Sequence, residues 1–181
     1  MKEIRDELLQ EVSRCHPQWP CATSTLPGLE RFGGDLIPGL VGCLADSEWE
    51  IRHFAICLLV EARPRSDMAV ADIIECLDDE NRLVRAAAIF RLDDFGSLAA
   101  SAIPHLESWL SLEGDDYLCI QAVTLMAKLD PSRTDELLVD IRKAATNDNP
   151  IVSEIALEFL AKIRETLPFH EENFRQAVKS G

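Results

Sequence analysis

Residues 77–92 read LDDENRLVRAAAIFRL, and the pattern of this stretch recurs along the chain every 33 to 34 residues. The equivalent stretches are LADSEWEIRHFAICLL at 44–59, SLEGDDYLCIQAVTLM at 111–126 and ATNDNPIVSEIALEFL at 145–160. When they are aligned, one column holds only alanine, and the columns on either side hold aliphatic residues or methionine. Self-similarity at such a period is the signature of a stacked-repeat fold. The three columns are Ile51, Val84, Leu118 and Val152; Ala55, Ala88, Ala122 and Ala156; and Leu59, Leu92, Met126 and Leu160.

A second apolar segment precedes each of these stretches. Ile37, Leu40, Val41 and Leu44 are spaced as on one face of a helix, and related segments begin near Val70, Ile103 and Leu137. Each unit is therefore predicted to be a first helix, here called A, a short turn and a second helix, here called B. The turns are rich in Asp and Asn, whose side chains are suited to accept hydrogen bonds from the free N–H groups that open a helix. These turn residues are Asp46, Asp78, Asp79, Asp115, Asp116, Asn147 and Asn149.

One pair of helices of this length cannot bury its own apolar face, so adjacent units must cover it. The sequence therefore predicts an all-α fold, a right-handed α-solenoid of about four helical hairpins within a single domain. The hairpins are expected at 34–165. N-terminal capping helices are expected at 1–33 and a C-terminal capping helix at 166–181, where Phe174 and Val178 continue the apolar register.

A polar motif accompanies the apolar columns in the first two units. Asp46 is followed by Ile51, Arg52 and Ala55, and Asp79 is followed at the same spacing by Val84, Arg85 and Ala88. This pattern resembles the short bacterial HEAT-like repeats, a repeat type also found in bilin lyases. The resemblance implies that Arg52 and Arg85 reach back to the aspartates of the A–B turns, Asp46 and Asp79, as a structural polar ladder. The third and fourth units carry Glu113 with Cys119 and Asn147 with Ser153 instead, so the ladder is expected to weaken there.

Composition restricts the classes of partner. The chain has 32 acidic and 18 basic residues, for a net charge of −14, and its Lys and Arg residues are scattered. Contacts with a phosphate backbone need clustered basic residues, so neither nucleic acid nor an anionic membrane is an expected partner. The N-terminal MKEIRDELLQEV is charged and amphipathic rather than an apolar signal, and no long apolar run follows. A soluble, cytoplasmic protein is predicted.

The cysteines and histidines form no recognisable catalytic or metal-binding motif. Cys15, His16 and Cys21 are close in sequence, but a structural zinc site takes four ligands at characteristic spacing. We therefore predict no metal and no cofactor, and Cys15 and Cys21 are expected to be free loop thiols or a redox-sensitive pair. The motifs of hydrolases, phosphate-binding loops and zinc peptidases do not occur, so no catalytic residue is predicted and the chain is expected to be non-enzymatic.

The B helices are expected to line a concave surface, which is the surface that helical repeat proteins use for binding. Their outward columns predict an apolar patch of Leu83, Phe90, Tyr117 and Ile120, flanked by acidic residues. An aromatic anchor with a charged rim is typical of a groove that binds a protein or peptide segment, here one with apolar and basic residues. Alternatively, Leu83 and Ile120 pack against neighbouring B helices and the patch is smaller. The predicted groove residues are Glu50, His53, Leu83, Ala86, Phe90, Tyr117, Ile120, Thr124, Glu154 and Glu158.

The function predicted from the sequence is a non-enzymatic protein–protein interaction module or scaffold. Three alternatives stay open: a bilin-lyase-like accessory subunit, which only the repeat resemblance implies; an acidic inhibitor or immunity-type protein against a basic target; and an enzyme whose site is assembled across repeats. The oligomeric state and the identity of the partner do not follow from the sequence.

Overall fold

A computed structural model describes residues 2–15, 28, 30–62, 67–110 and 115–166, with the backbone alone at 11–15, 30 and 164–166. All regular secondary structure in these ranges is helical, as predicted. The α-helices are α1 (Lys2–Cys15), α2 (Leu36–Cys43), α3 (Trp49–Glu61), α4 (Val70–Glu75), α5 (Arg82–Phe95), α6 (Ile103–Leu110), α7 (Asp116–Leu129), α8 (Thr134–Ala144) and α9 (Pro150–Thr166). Short 3-10 helices lie at Glu30–Asp35, Asp67–Ala69, Cys76–Asp78, Gly96–Ala102 and Pro131–Arg133.

Apart from Glu113 of the third polar motif, two sequence predictions fall on residues outside these ranges. One is the C-terminal capping helix beyond residue 166, with Phe174 and Val178. The other is the loop that contains His16 and Cys21.

The helices pack in the order that the repeats predict. Each B helix packs against the next one, α3 against α5, α5 against α7, and α7 against α9. Each also packs against the A segment of its own repeat, which is α2, α4, α6 or α8 in turn. Helix α1 contacts both α2 and α3, next to the first repeat.

The apolar columns form the core of this arrangement, as predicted. The four alanines of the central column have 0% of their surface exposed, and the column beginning with Ile51 is also buried. The third column is buried as far as Met126, whereas Leu160 is only partly buried. Leu160 lies on α9, and no helix follows α9 within the described part of the chain.

Side chains of the A–B turns cap three of the B helices: predicted turn residues cap α7 and α9, Asn81, which was not predicted, caps α5, and α3 has no side-chain cap at Glu48. At α5, Asn81 accepts a hydrogen bond from the N–H of Leu83 at 2.8 Å. At α7, Asp115 accepts from Tyr117 at 3.0 Å and from Leu118 at 3.2 Å. The equivalent bond at α9 runs from the N–H of Ile151 to Asn149 and measures 3.0 Å. These bonds satisfy N–H groups that have no partner within the helix and so set where each B helix begins.

The polar ladder differs from the prediction in its main partner. Arg52 does reach its own turn, because its Nη1 donates to the carbonyl oxygen of Asp46 at 2.9 Å. Its two other nitrogens, however, donate to the carboxylate of Asp79 in the next repeat, at 2.6 and 2.7 Å. The planar guanidinium presents separate edges, so one side chain can bond to two consecutive turns. Similarly, Arg85 donates to the carbonyl oxygen of Asp79 at 3.0 Å, and the Asp46 carboxylate binds Arg5 of α1 at 2.5 Å.

Beyond the second repeat, different residues make the equivalent connections. Arg82 pairs with Asp115 at the start of α7. The amide of Asn147 donates to the carboxylate of Asp116 at 3.0 Å. Contacts between repeats therefore continue into the third and fourth units, although the Asp–Arg motif itself does not.

Candidate binding groove

A cavity of about 770 Å³ runs across the B helices. Its walls come from α3, α5, the start of α7 and the start of α9, so that it spans all four repeats. Most of the lining belongs to α5, because this helix lies between α3 and α7 in the stack. The lining residues are His53, Cys57, Arg82, Leu83, Ala86, Ala87, Phe90, Arg91, Tyr117, Asn149 and Ile151.

The centre of the groove is apolar. Leu83, Ala86, Ala87 and Phe90 are three, four and seven residues apart along α5, which places them on one face of the helix. Phe90 has 41% of its surface exposed, although it is a large apolar side chain. Its ring centroid is 6.2 Å from that of Tyr117, and the two rings are tilted by 53°. This pair of aromatic side chains is therefore accessible to a ligand in the cavity.

The charged side chains among the lining residues are two arginines of α5, Arg82 at its first residue and Arg91 next to Phe90. The guanidinium carbon of Arg82 lies 5.7 Å from the centroid of the Tyr117 ring, within the range of a cation–π interaction, and the same group pairs with Asp115. Arg91 lies 3.5 Å from the carboxylate of Asp94. The groove therefore has cationic groups on both sides of its apolar centre.

His53 and Cys57 form a buried wall of the groove on α3. Burial lowers the pKa of His53 to about 4, and the positive charge of Arg91 acts in the same direction. Burial also raises the pKa of the Cys57 thiol, whose sulfur lies 3.9 Å from Nδ1 of His53. At neutral pH both groups are uncharged, and a thiol with a raised pKa is a poor nucleophile. The pair therefore contributes a neutral surface rather than a reactive centre.

The structure places five of the ten predicted groove residues on this cavity: His53, Leu83, Ala86, Phe90 and Tyr117. The expectation for Ile120 was wrong, because only 3% of its surface is exposed and it belongs to the core. Thr124 is buried as well, and its hydroxyl donates to the carbonyl oxygen of Gln121 at 2.9 Å. Both lie on the side of α7 that its neighbours cover. Leu83, by contrast, is half-buried and still lines the cavity.

The acidic flank predicted for the groove is not found among its lining residues. Glu50, Glu154 and Glu158 do not line the cavity, and arginines provide its charge. The sequence pattern did not predict Arg82 and Arg91, because basic residues are scattered along the chain. Their positions eight residues before and one residue after Phe90 on the same helix were the available signal.

The described residues contain neither a cluster of metal-ligating side chains nor a membrane-spanning helix. Nowhere in those ranges do three His, Cys, Asp or Glu side chains cluster as metal ligands would. Likewise, none of the described helices has the length and apolar character needed to cross a bilayer.

The repeat unit also identifies the family. A family model described as HEAT repeats matches residues 37–127, which is half of the chain and extends from α2 to α7. The chain belongs to the HEAT-repeat family. A search of curated proteins finds no match to this HEAT-repeat protein. HEAT repeats commonly act as protein-interaction scaffolds, and the family is generally non-catalytic. The matched range contains the lining residues that come from α3, α5 and α7.

Proposed function

We propose that this HEAT-repeat protein is a non-catalytic interaction module that binds a segment of a partner protein along the groove of the B helices. The observation that carries this proposal is the exposed Phe90, which lies beside Tyr117 in a cavity lined by several helices. Accessible aromatic side chains in a pocket are the usual anchors of protein–protein binding. Because the lining spans several helices, an extended or helical segment fits the groove better than a compact metabolite does.

In this proposal the four hairpins at 34–165 form a right-handed solenoid whose concave face is the groove. The consecutive packing of α3, α5, α7 and α9 supports such a stack. The contacts of α1 with α2 and α3 support an N-terminal cap within 1–33. A C-terminal cap at 166–181 remains part of the proposal, because helical stacks need their apolar ends covered.

One alternative has an observation in its favour. The net charge of −14 suits an acidic inhibitor that binds a basic target by its outer surface. Such binding would weaken steeply with salt and would not depend on Phe90. The bilin-lyase-like role predicts instead that an open-chain tetrapyrrole binds in the cavity, which a titration followed by visible absorption would detect.

The proposal is tested by selecting peptides from a random displayed library on the full chain. Enriched peptides are synthesised, and their dissociation constants are measured by fluorescence anisotropy with wild type and with Phe90→Asp. Because anchor residues typically contribute 2 kcal/mol or more, we expect Phe90→Asp to weaken binding by at least roughly 30-fold. The loss follows from placing a charge where the peptide buries its apolar anchor.

Val139→Asp is the matched control, since Val139 is 66% exposed on α8 and does not line the groove. It introduces the same charge and should leave the affinity unchanged. Both variants must first show wild-type helicity and melting. Failure to enrich any peptide, or equal affinities for wild type and Phe90→Asp, would reject the proposed function.

A further inference from the structure

The charged side chains that line the groove are opposite in sign to the net charge of the whole protein, although each of them is paired with an aspartate outside the lining. The chain carries a net charge of −14, yet the lining of the cavity contains two arginines and no aspartate or glutamate. His53, which completes this wall, is neutral at pH 7 because burial lowers its pKa to about 4. The two guanidinium groups would therefore repel a cationic group of a ligand, whereas no acidic lining residue would repel a ligand carboxylate.

Both guanidinium groups can bind a ligand carboxylate while they keep their present partners. Each guanidinium has five N–H donors arranged in a planar fork. Arg91 holds Asp94 across 3.5 Å at the surface, which is a weak and adaptable contact. The partner of Arg82, Asp115, also accepts hydrogen bonds from the N–H groups of Tyr117 and Leu118. The carboxylate of Asp115 therefore keeps two hydrogen-bond donors if Arg82 turns partly towards a ligand.

The spacing of the arginines sets a length scale for the ligand. Arg82 and Arg91 are nine residues apart in α5, which corresponds to about 13.5 Å along the helix axis. The apolar face of Leu83, Ala86, Ala87 and Phe90 lies between them. In an extended peptide this distance corresponds to about four residues. In a helical peptide the nearest spacing that keeps both side chains on one face is about seven residues.

We propose that the partner segment is acidic and apolar: it inserts an apolar anchor beside Phe90 and places a carboxylate against Arg82, Arg91 or both. This inference rests on the proposed function and reverses the basic partner expected from the composition. The net negative charge does not prevent such binding. Exposed charges beyond about 8 Å are largely screened at physiological ionic strength, whereas charge-assisted hydrogen bonds in a groove persist.

The test uses three pools of fluorescein-labelled peptides that differ only in charge. Each 12-residue pool has a central Phe, Leu or Trp, and two fixed flanking positions four residues apart that are both Glu, both Gln or both Lys. A second set places the two fixed positions seven residues apart, the spacing at which two side chains of a helical peptide return to nearly the same face. Affinities for the full chain are measured by anisotropy at 0.15 M salt and pH 7.4. We expect the Glu pool of at least one set to bind at least about 10-fold more tightly than its Lys pool, with the Gln pool between them.

Two double variants test whether the preference for the Glu pool depends on the arginines of the groove. Arg82→Gln/Arg91→Gln should reduce the affinity for the Glu pool to that for the Gln pool, and should leave the Gln pool unchanged. Lys143→Gln/Lys162→Gln removes the same total charge at exposed positions that do not line the cavity and should change neither affinity. Phe90→Asp is measured in parallel with every pool.

The outcomes separate this inference from the proposed function. Tightest binding of the Lys or Gln pool that is lost in Phe90→Asp would overturn the acidic partner and leave the groove in place. A preference for Glu that survives the double arginine variant would also overturn it. If no pool binds in a manner that depends on Phe90, the proposed function fails, and this inference fails with it.

Discussion

At the scale of single residues, the environment of a side chain decides its chemistry more than its type does. His53 and Cys57 could be taken for a reactive pair, since they lie one turn apart on α3 and face a cavity. Burial favours the uncharged form of both groups, and the nearby Arg91 disfavours a second positive charge on His53. The same burial makes His53 a source of acid sensitivity.

The first prediction concerns this acid sensitivity. The pKa of His53 is about 4 in the folded protein, whereas an unfolded histidine has a pKa of about 6.5. Between these values the unfolded chain binds more protons, so the free energy of unfolding should fall as the pH drops from 6.5 towards 4. His53→Gln removes this contribution. When the pH is lowered from 7 to 4.5, the free energy of unfolding should fall by about 2 kcal/mol less in the variant than in wild type.

Urea denaturation at a series of pH values measures this difference. Carboxylates lose stabilising interactions over the same range in both proteins, so only the difference between the two curves reports on His53. Above pH 7 the curves should run parallel, because the imidazole is neutral in both states. If the two curves remain parallel down to pH 4.5, the pKa of His53 is not lowered in the folded protein.

At the scale of helices, the alanine column determines how closely neighbouring B helices approach. Ala55, Ala88, Ala122 and Ala156 are completely buried where α3, α5, α7 and α9 pack in succession. A methyl group there leaves room for the larger side chains of the flanking columns. Gly39 has a similar effect between α1 and α2, because a Cβ at this position would meet Cδ1 of Ile4.

The second prediction is that a larger side chain in the alanine column is destabilising. Ala88→Leu inserts three carbon atoms between closely packed helices, and overpacking of this kind typically costs about 1–3 kcal/mol. Ala71→Leu makes the same change at an exposed position of α4 and should alter stability by less than about 0.5 kcal/mol. Urea denaturation monitored by circular dichroism compares the two variants. Equal stabilities would show that the column is not tightly packed.

At the scale of the whole molecule, polar bonds connect each repeat to the next. Arg5 with Asp46, Arg52 with Asp79, and Arg82 with Asp115 bridge consecutive elements of the stack. The Arg52–Asp79 pair is the most buried of the three, and both of its side chains are less than one-tenth exposed. A buried pair is costly to break on one side alone, since the remaining charge is left without its partner.

The third prediction is a double-mutant cycle on this buried pair. Arg52→Met and Asp79→Asn should each destabilise the protein by about 3 kcal/mol. The coupling energy between the two positions should be about 1–3 kcal/mol. The exposed pair Lys128–Asp93 also joins two B helices, α5 and α7, and is the control. Its coupling should stay below about 1 kcal/mol. Similar coupling in the two pairs would mean that Arg52 and Asp79 contribute no more than a surface contact.

Local and periodic information was sufficient to predict the helical repeats. The alanine column, the apolar columns beside it and capping residues such as Asp115 and Asn149 are all recognisable within windows of one or two helical turns. These features decide which face of a helix is buried and where the helix begins, because both depend on neighbours in sequence. The assignment to the HEAT family follows from the same repetition.

Only the tertiary structure decided what lies on the groove. The burial of Ile120, the bond from Arg52 to Asp79 in the next repeat, and the cationic lining of Arg82 and Arg91 depend on the rotation between successive helices. That rotation results from side-chain packing between units more than 30 residues apart in the sequence. The helical period in the sequence predicts which side chains point away from the core of their own hairpin. Whether such a side chain meets solvent or the next hairpin is a property of the stack.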